Sequence, residues 1–221
     1  MGSATIIGII AIFGTLAISA TLHEFMHGYV AHRLGDNTAK YSGRLTLNPL
    51  AHVDPFATVL LPIILFIIGA PLFAAAKPVP FNPSNFRNGE TGLAMVSLAG
   101  PLTNLVLAIM GGVLFQTLSL GIAVTYILAV FILLNIGLFV FNMIPFPPLD
   151  GSRLLYVLAP ESVRRFMQTI ESGGIFSIGI LILILFPLGL GSLLGEAITV
   201  VSQWITGTDL PRVLVQLQQL L

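Results

Sequence analysis

Residues 23 to 27 read His-Glu-Phe-Met-His. On a helix, positions i and i+4 share a face, so His23 and His27 can aim an imidazole nitrogen each at one metal ion. Glu24, one residue past the first histidine, stands where such sites place a general base beside the water they activate. Zinc is the metal this pattern fits. The chain has no cysteine, so thiolate sites are excluded and every other ligand must be a histidine or a carboxylate. A catalytic zinc takes three protein ligands and keeps one position for water, so a third must come from elsewhere in the chain.

Candidates are few: His32, His52, Asp36, Asp54, Asp150, Asp209 and five glutamates, Glu24 among them. Asp150 is the only charged residue between Glu90 and Arg153. It closes the stretch Asn142-Met-Ile-Pro-Phe-Pro-Pro-Leu-Asp150, with Gly151 next, at the end of a long apolar run. A carboxylate there is costly unless it is paired or bound to metal. Pro145, Pro147 and Pro148 break the helix and Gly151 permits a sharp turn. Irregular backbone at membrane depth is tolerated where it lines a polar cavity. Asp150 is the expected third ligand; the alternative is a plain turn residue, because Asp-Gly is a common turn pair. His32 and His52 are expected at the interface or in loops.

The elements that must carry these residues are membrane helices. Of 221 residues, 56% are hydrophobic and 8% charged, against about 25% charged in soluble domains. Uncharged runs cover 4–22, 56–76, 91–149 and 172–195, and roughly 20 apolar residues cross a bilayer. The run 91–149 holds two crossings, with a turn expected near 119–121. The first run lacks a basic leader and passes straight into the His pair, so it reads as retained rather than cleaved. The expected fold is an all-α polytopic membrane protein with five to six membrane-embedded segments. It reads as one domain over 1–221, with a core at 4–160 and a C-terminal membrane segment and tail at 172–221. The tail from 209 reads as a short amphipathic surface helix. A net charge of zero gives no reason to expect nucleic acid.

Parity adds a constraint. The His pair and Asp150 each end an apolar run, and three full crossings between them would leave them on opposite faces. The run 56–76, interrupted by Pro62, Gly69 and Pro71, is therefore expected to enter and return as a re-entrant element. Arg33, Lys40 and Arg44 follow the first run, and Arg153, Arg164 and Arg165 follow Asp150. The positive-inside rule then puts the active site toward the cytoplasm, in the cell membrane.

His-Glu-x-x-His on one helix, with Asn-x-x-Pro-x-Pro-x-x-Asp-Gly later, resembles the site-2 protease family of intramembrane metalloproteases. The segment Ala99-Gly-Pro-Leu-Thr-Asn104 and the stretches at 44–49 and 77–82 are similar to further signatures of that family, so the likeness runs from about residue 4 to about 160. Without a recognisable PDZ or CBS domain, the chain resembles a minimal-core member. The resemblance implies one zinc held by His23, His27 and Asp150, with Glu24 as base and Asn142 as donor to the substrate carbonyl or oxyanion. It implies hydrolysis of a peptide bond within or beside the transmembrane helix of a protein substrate. Extended segments at 44–48 or 77–83 would offer a strand edge to the unwound substrate. Two duller readings stay open for single residues: Asn142 as a partner for backbone freed by Pro145, and Asn104 as helix–helix glue. For the whole chain, the alternatives are a transporter or channel, or a zinc-binding membrane protein that does not cut.

Overall fold

The computed structural model describes residues 2–60, 64, 67, 76–173, 177, 179, 181 and 189–221. Eight α-helices carry them: α1 (Ser3–Arg33), α2 (Thr38–Tyr41), α3 (Gly89–Thr117), α4 (Ile122–Asn142), α5 (Asp150–Leu158), α6 (Glu161–Ser172), α7 (Leu190–Thr206) and α8 (Leu210–Leu220). Three of them, α1, α3 and α4, are long and apolar enough to cross a membrane. A helix satisfies its own backbone groups, which is what lipid demands of a spanning segment. The turn between α3 and α4 falls at 118–121, where it was expected. Pro160 separates α5 from α6. The proposed re-entrant run 56–76 and the apolar stretch 175–194 lie largely outside the described residues.

The expected short β segments are not formed. Among the described residues there is no strand. Pro78, Pro80 and Pro83 cannot donate to a ladder, which denies the stretch 77–83 regular pairing. It runs instead as irregular backbone into a tight turn at Pro83–Asn85, which Asn82 caps by accepting from the Ser84 N–H.

Two compact units emerge, 1–16 with 101–221, and 17–100. The first is built on apolar packing. Ala129, Ile132 and Ile136 of α4 are fully buried together with Ala108 of α3 and Leu210 of α8, and Ile198, Val201 and Ile205 of α7 pack against them. Small residues allow the helices to close: a Cβ at Gly112 would fall 2.3 Å from the Ile205 side chain. Such close approach through small residues drives association where lipid is as apolar as the helix. Within this core Asn104 donates to Asn135 at 3.0 Å, both fully buried, so Asn104 does act as helix–helix glue. The helix α8 has the expected amphipathic pattern, but its apolar side packs into this core rather than standing free.

The second unit comprises the C-terminal half of α1, the short α2, the irregular stretches around it and the start of α3. Its described residues bury Val79, Phe86, Leu93 and Val96 and are also tied by hydrogen bonds that reach between segments.

Candidate metal centre

One turn of α1 sets His23 and His27 side by side, both buried. Their rings meet edge to face with centroids 4.6 Å apart, and their Nε2 atoms approach to 3.0 Å. His27 Nδ1 lies 2.7 Å from the Val96 carbonyl of α3. A carbonyl only accepts, so Nδ1 carries the proton and the Nε2 lone pair is left for a ligand bond. Two nitrogens bound to one tetrahedral zinc at 2.0–2.1 Å stand roughly 3.3 Å apart, close to the observed spacing.

Gly100 of α3 completes this picture. A Cβ built on it would lie 2.3 Å from His27 Nε2 and 2.6 Å from His23 Nε2. The point kept clear by the glycine is thus flanked by both nitrogens at little more than a zinc–nitrogen bond length. The donor pair and the space beside it fit a single ion. Any larger residue at 100 would put carbon where the two nitrogens converge.

Glu24 is held by backbone. Its Oε2 accepts from the Val79 N–H at 2.8 Å. One turn further along α1, Gly28 makes room for the same residue: a Cβ at 28 would meet Val79 Cγ1 at 3.0 Å. The stretch 77–82 therefore crosses α1 directly over Glu24 and Gly28.

Asp150 and Asn142 belong to the other unit, at the two ends of one turn. Asn142 is the last residue of α4 and donates through Nδ2 to Leu138 O at 2.9 Å, one turn back in its own helix. Asp150, half-buried, opens α5. Gly151 is required there, since a Cβ would lie 2.4 Å from Met143 O and 2.7 Å from Ile144 O. Leu149 anchors the turn in a buried cluster with Phe141, Ile144 and Phe146.

The remaining candidates have structural settings of their own. His52 is buried and its Nε2 lies 2.9 Å from Thr46 O. Asp54 accepts from the Phe56 N–H, and Asp209 caps α8 by accepting from the Arg212 N–H. Asp36 is fully buried. Burial works against its charge, but donors from the Thr38 hydroxyl, the Asn85 amide and the backbone of Asn82 and Thr38 outweigh it. They hold the carboxyl below its ordinary value of 3.8. Sequence reasoning gave Gly100 no part at the metal, considered Asp36 only as a candidate ligand, and read the stretch holding Val79 only as a strand edge. The only signal for Gly100 was its place in the Ala-Gly-Pro stretch, and a glycine in an apolar helix reads first as packing.

Known proteins resemble the chain along most of its length. The family model described as Peptidase family M50 matches residues 114–186. Relatives that carry the name "Putative zinc metalloprotease" include the following three. YwhC of Bacillus subtilis is 40% identical over 187 residues, 80% of each chain. Rip2 of Mycolicibacterium smegmatis is 32% identical over 177 residues, 79% of this chain and 67% of its own. MJ0611 of Methanocaldococcus jannaschii is 31% identical over 137 residues, 60% of this chain and 62% of its own. No solved structure matches the chain significantly.

Proposed function

The chain belongs to peptidase family M50, and from that premise we propose that it is a zinc-dependent intramembrane endopeptidase. Its substrate is a membrane protein, cut within or next to a transmembrane helix. The observation that carries the reading is the pair of Nε2 atoms 3.0 Å apart around the point Gly100 keeps clear, with Glu24 on the same helical turn. A transporter or channel has no use for that arrangement. A zinc site that only stabilised the fold would not need Glu24.

In this reading His23, His27 and Asp150 would hold the metal, two imidazoles and a carboxylate, a donor set that suits catalytic zinc. When bound, zinc supplies a Lewis acid and a water acidic enough to lose a proton near neutral pH. Glu24 would serve as the base that takes a proton from the attacking water and returns it to the leaving amine. Its Oε2 is engaged by Val79, which leaves Oε1 for the proton. His27 keeps its orientation through Val96 O. Asn142 spends one Nδ2 hydrogen on Leu138 O and would offer the other to the oxyanion, a contribution typically worth about 10²–10³ in rate. The substrate helix must unwind first, since an intact helix hides its carbonyls in i→i−4 bonds.

The chain is an integral membrane protein. The basic residues after α1 and after Asp150 support a site that opens toward the cytoplasm, in the cell membrane. We propose that both units act as one domain over 1–221.

The test is cleavage of a tagged single-span substrate by purified protein in detergent. Wild type should cut and Glu24→Gln should not. Equal activity in the two would overturn the reading.

A further inference from the structure

Asp36 touches neither the histidines nor Glu24, yet the contacts around it close a ring that ends on Glu24. It follows α1 by three residues, in the turn after Arg33. Its Oδ1 accepts from Thr38 Oγ1 at 2.6 Å and from Asn85 Nδ2 at 2.8 Å, and its Oδ2 accepts from the Asn82 N–H at 2.8 Å. Arg87 N–H adds a bond to Leu34 O at 3.0 Å, and a Cβ at Gly35 would lie 3.2 Å from Asn85 O. The end of α1 is therefore clamped onto residues 82–87.

The opposite end of the 77–82 stretch is clamped as well. Lys77 N–H donates to His52 O at 2.8 Å, and Arg44 Nη2 donates to Lys77 O at 2.6 Å. His52 is itself fixed on Thr46 O. Between the two clamps the stretch carries three prolines or proline neighbours, Pro78-Val79-Pro80. Proline fixes φ and restricts the residue before it, so a strap tied at both ends has little freedom in the middle. Its middle donor is the Val79 N–H, aimed at Glu24 Oε2.

We propose that 77–82 is a positioning strap for the catalytic base, and that Asp36 is the positioning residue that sets its tension. Glu24 is long and rotamer-rich, and a general base works only within hydrogen-bond reach of its proton. Its orientation is fixed not by a side chain but by one backbone amide. Where that amide lies is decided beyond the end of α1, at the buried carboxylate of Asp36. The proposal rests on the reading of Glu24 as base. It adds that Asp36 acts on turnover rather than on zinc or substrate binding.

In the experiment, purified zinc-loaded protein is assayed for kcat, KM and zinc content with the tagged single-span substrate. The variants are Asp36→Asn, Gly28→Ala, and a protein in which the Val79 amide is replaced by an ester, which deletes the N–H alone. Asp36→Asn turns an amide toward the Asn82 N–H in place of an acceptor. Each should lower kcat about ten- to a hundredfold, the loss expected when a reacting group is slightly misplaced. KM and zinc content should stay at wild-type values. Asp36→Asn combined with the Val79 ester should be no worse than the ester alone, because the first acts only through the second.

Additive losses would overturn the proposal, as would an unchanged kcat in Asp36→Asn or the ester. Loss of zinc with loss of activity in Asp36→Asn would make Asp36 a purely structural residue, and the ester then decides the strap's role alone. If Glu24→Gln cuts as well as wild type, the underlying reading fails and the strap loses its purpose. If Glu24→Gln is inactive while Asp36→Asn is normal, only the strap proposal fails.

Discussion

Among the described residues, the two units of this chain differ in the contacts that orient their parts. In 101–221 the helices meet through Ile132, Ile136, Ile205 and Leu210, with Gly111 and Gly112 letting backbones approach. Contacts of that kind have no direction, and any shape that fills the space serves. In 17–100 the segments are joined by bonds that have both length and angle: His27 to Val96 O, Glu24 to the Val79 N–H, and Asp36 to donors on three residues. Reactive groups need aim as well as burial, and hydrogen bonds supply aim. Packing contacts and aiming contacts make different demands, so substitutions should separate their effects.

The largest effect is expected at Glu24, the base in the proposed mechanism. Glu24→Gln keeps the shape and the helix but removes the base, and cleavage should fall by about 10⁴-fold or more. Zinc content, measured on the same preparation, should not change.

Next come two glycines whose added methyl groups meet equally close neighbours. At Gly100 the methyl would reach His27 Nε2 at 2.3 Å, and at Gly112 it would reach Ile205 at the same distance. Gly100→Ala should weaken zinc binding about 10²-fold or more, since it displaces the ligands themselves. Gly112→Ala should lower thermal stability and leave zinc affinity unchanged. Competition against a zinc chelator, read beside thermal unfolding, distinguishes them. Equal zinc loss in both would erase the contrast between the units.

A smaller effect is expected from Ile136→Ala, which removes a fully buried side chain from α4. Large-to-small changes of this type cost about 2–5 kcal/mol. Resistance to unfolding should drop while kcat per folded molecule stays constant.

The smallest effect concerns acid. The Asp36 carboxyl is held below 3.8 in the folded chain, so it favours the folded state at pH above that value. The contribution is lost as pH falls through its folded value, when the carboxylate takes up a proton. Amide-exchange protection of 77–85 should therefore hold as pH is lowered to 3.8 and decline below it. In Asp36→Asn the protection should be weak throughout and lack that acid transition.

Much of this was legible in the residues. The His-Glu-x-x-His spacing on an uncharged run placed both imidazoles on one helical face, and the structure brings them together. Residues 119–121 marked a helix end because local chemistry decides such ends. The strand expected at 77–83 is absent because Pro78, Pro80 and Pro83 deny it a ladder, and 44–48 forms none either. They still act as extended ties, but through Arg44 and Lys77 rather than by pairing. What the sequence hid was contact between distant segments. Nothing along the chain announces that Gly100 faces two imidazoles 73 and 77 positions earlier, or that Asn135 answers Asn104. Nor does the amphipathic pattern of α8 reveal that its apolar side is covered by α4.

The central claim, a zinc held by His23, His27 and Asp150, is tested most directly by metal analysis of wild type, Glu24→Gln and Asp150→Ala purified side by side. The account predicts about one zinc per chain in the first two and loss of most of it in the third. Full zinc in Asp150→Ala would remove Asp150 from the ligand set. A wild type that takes up no zinc when the metal is supplied would contradict the account altogether.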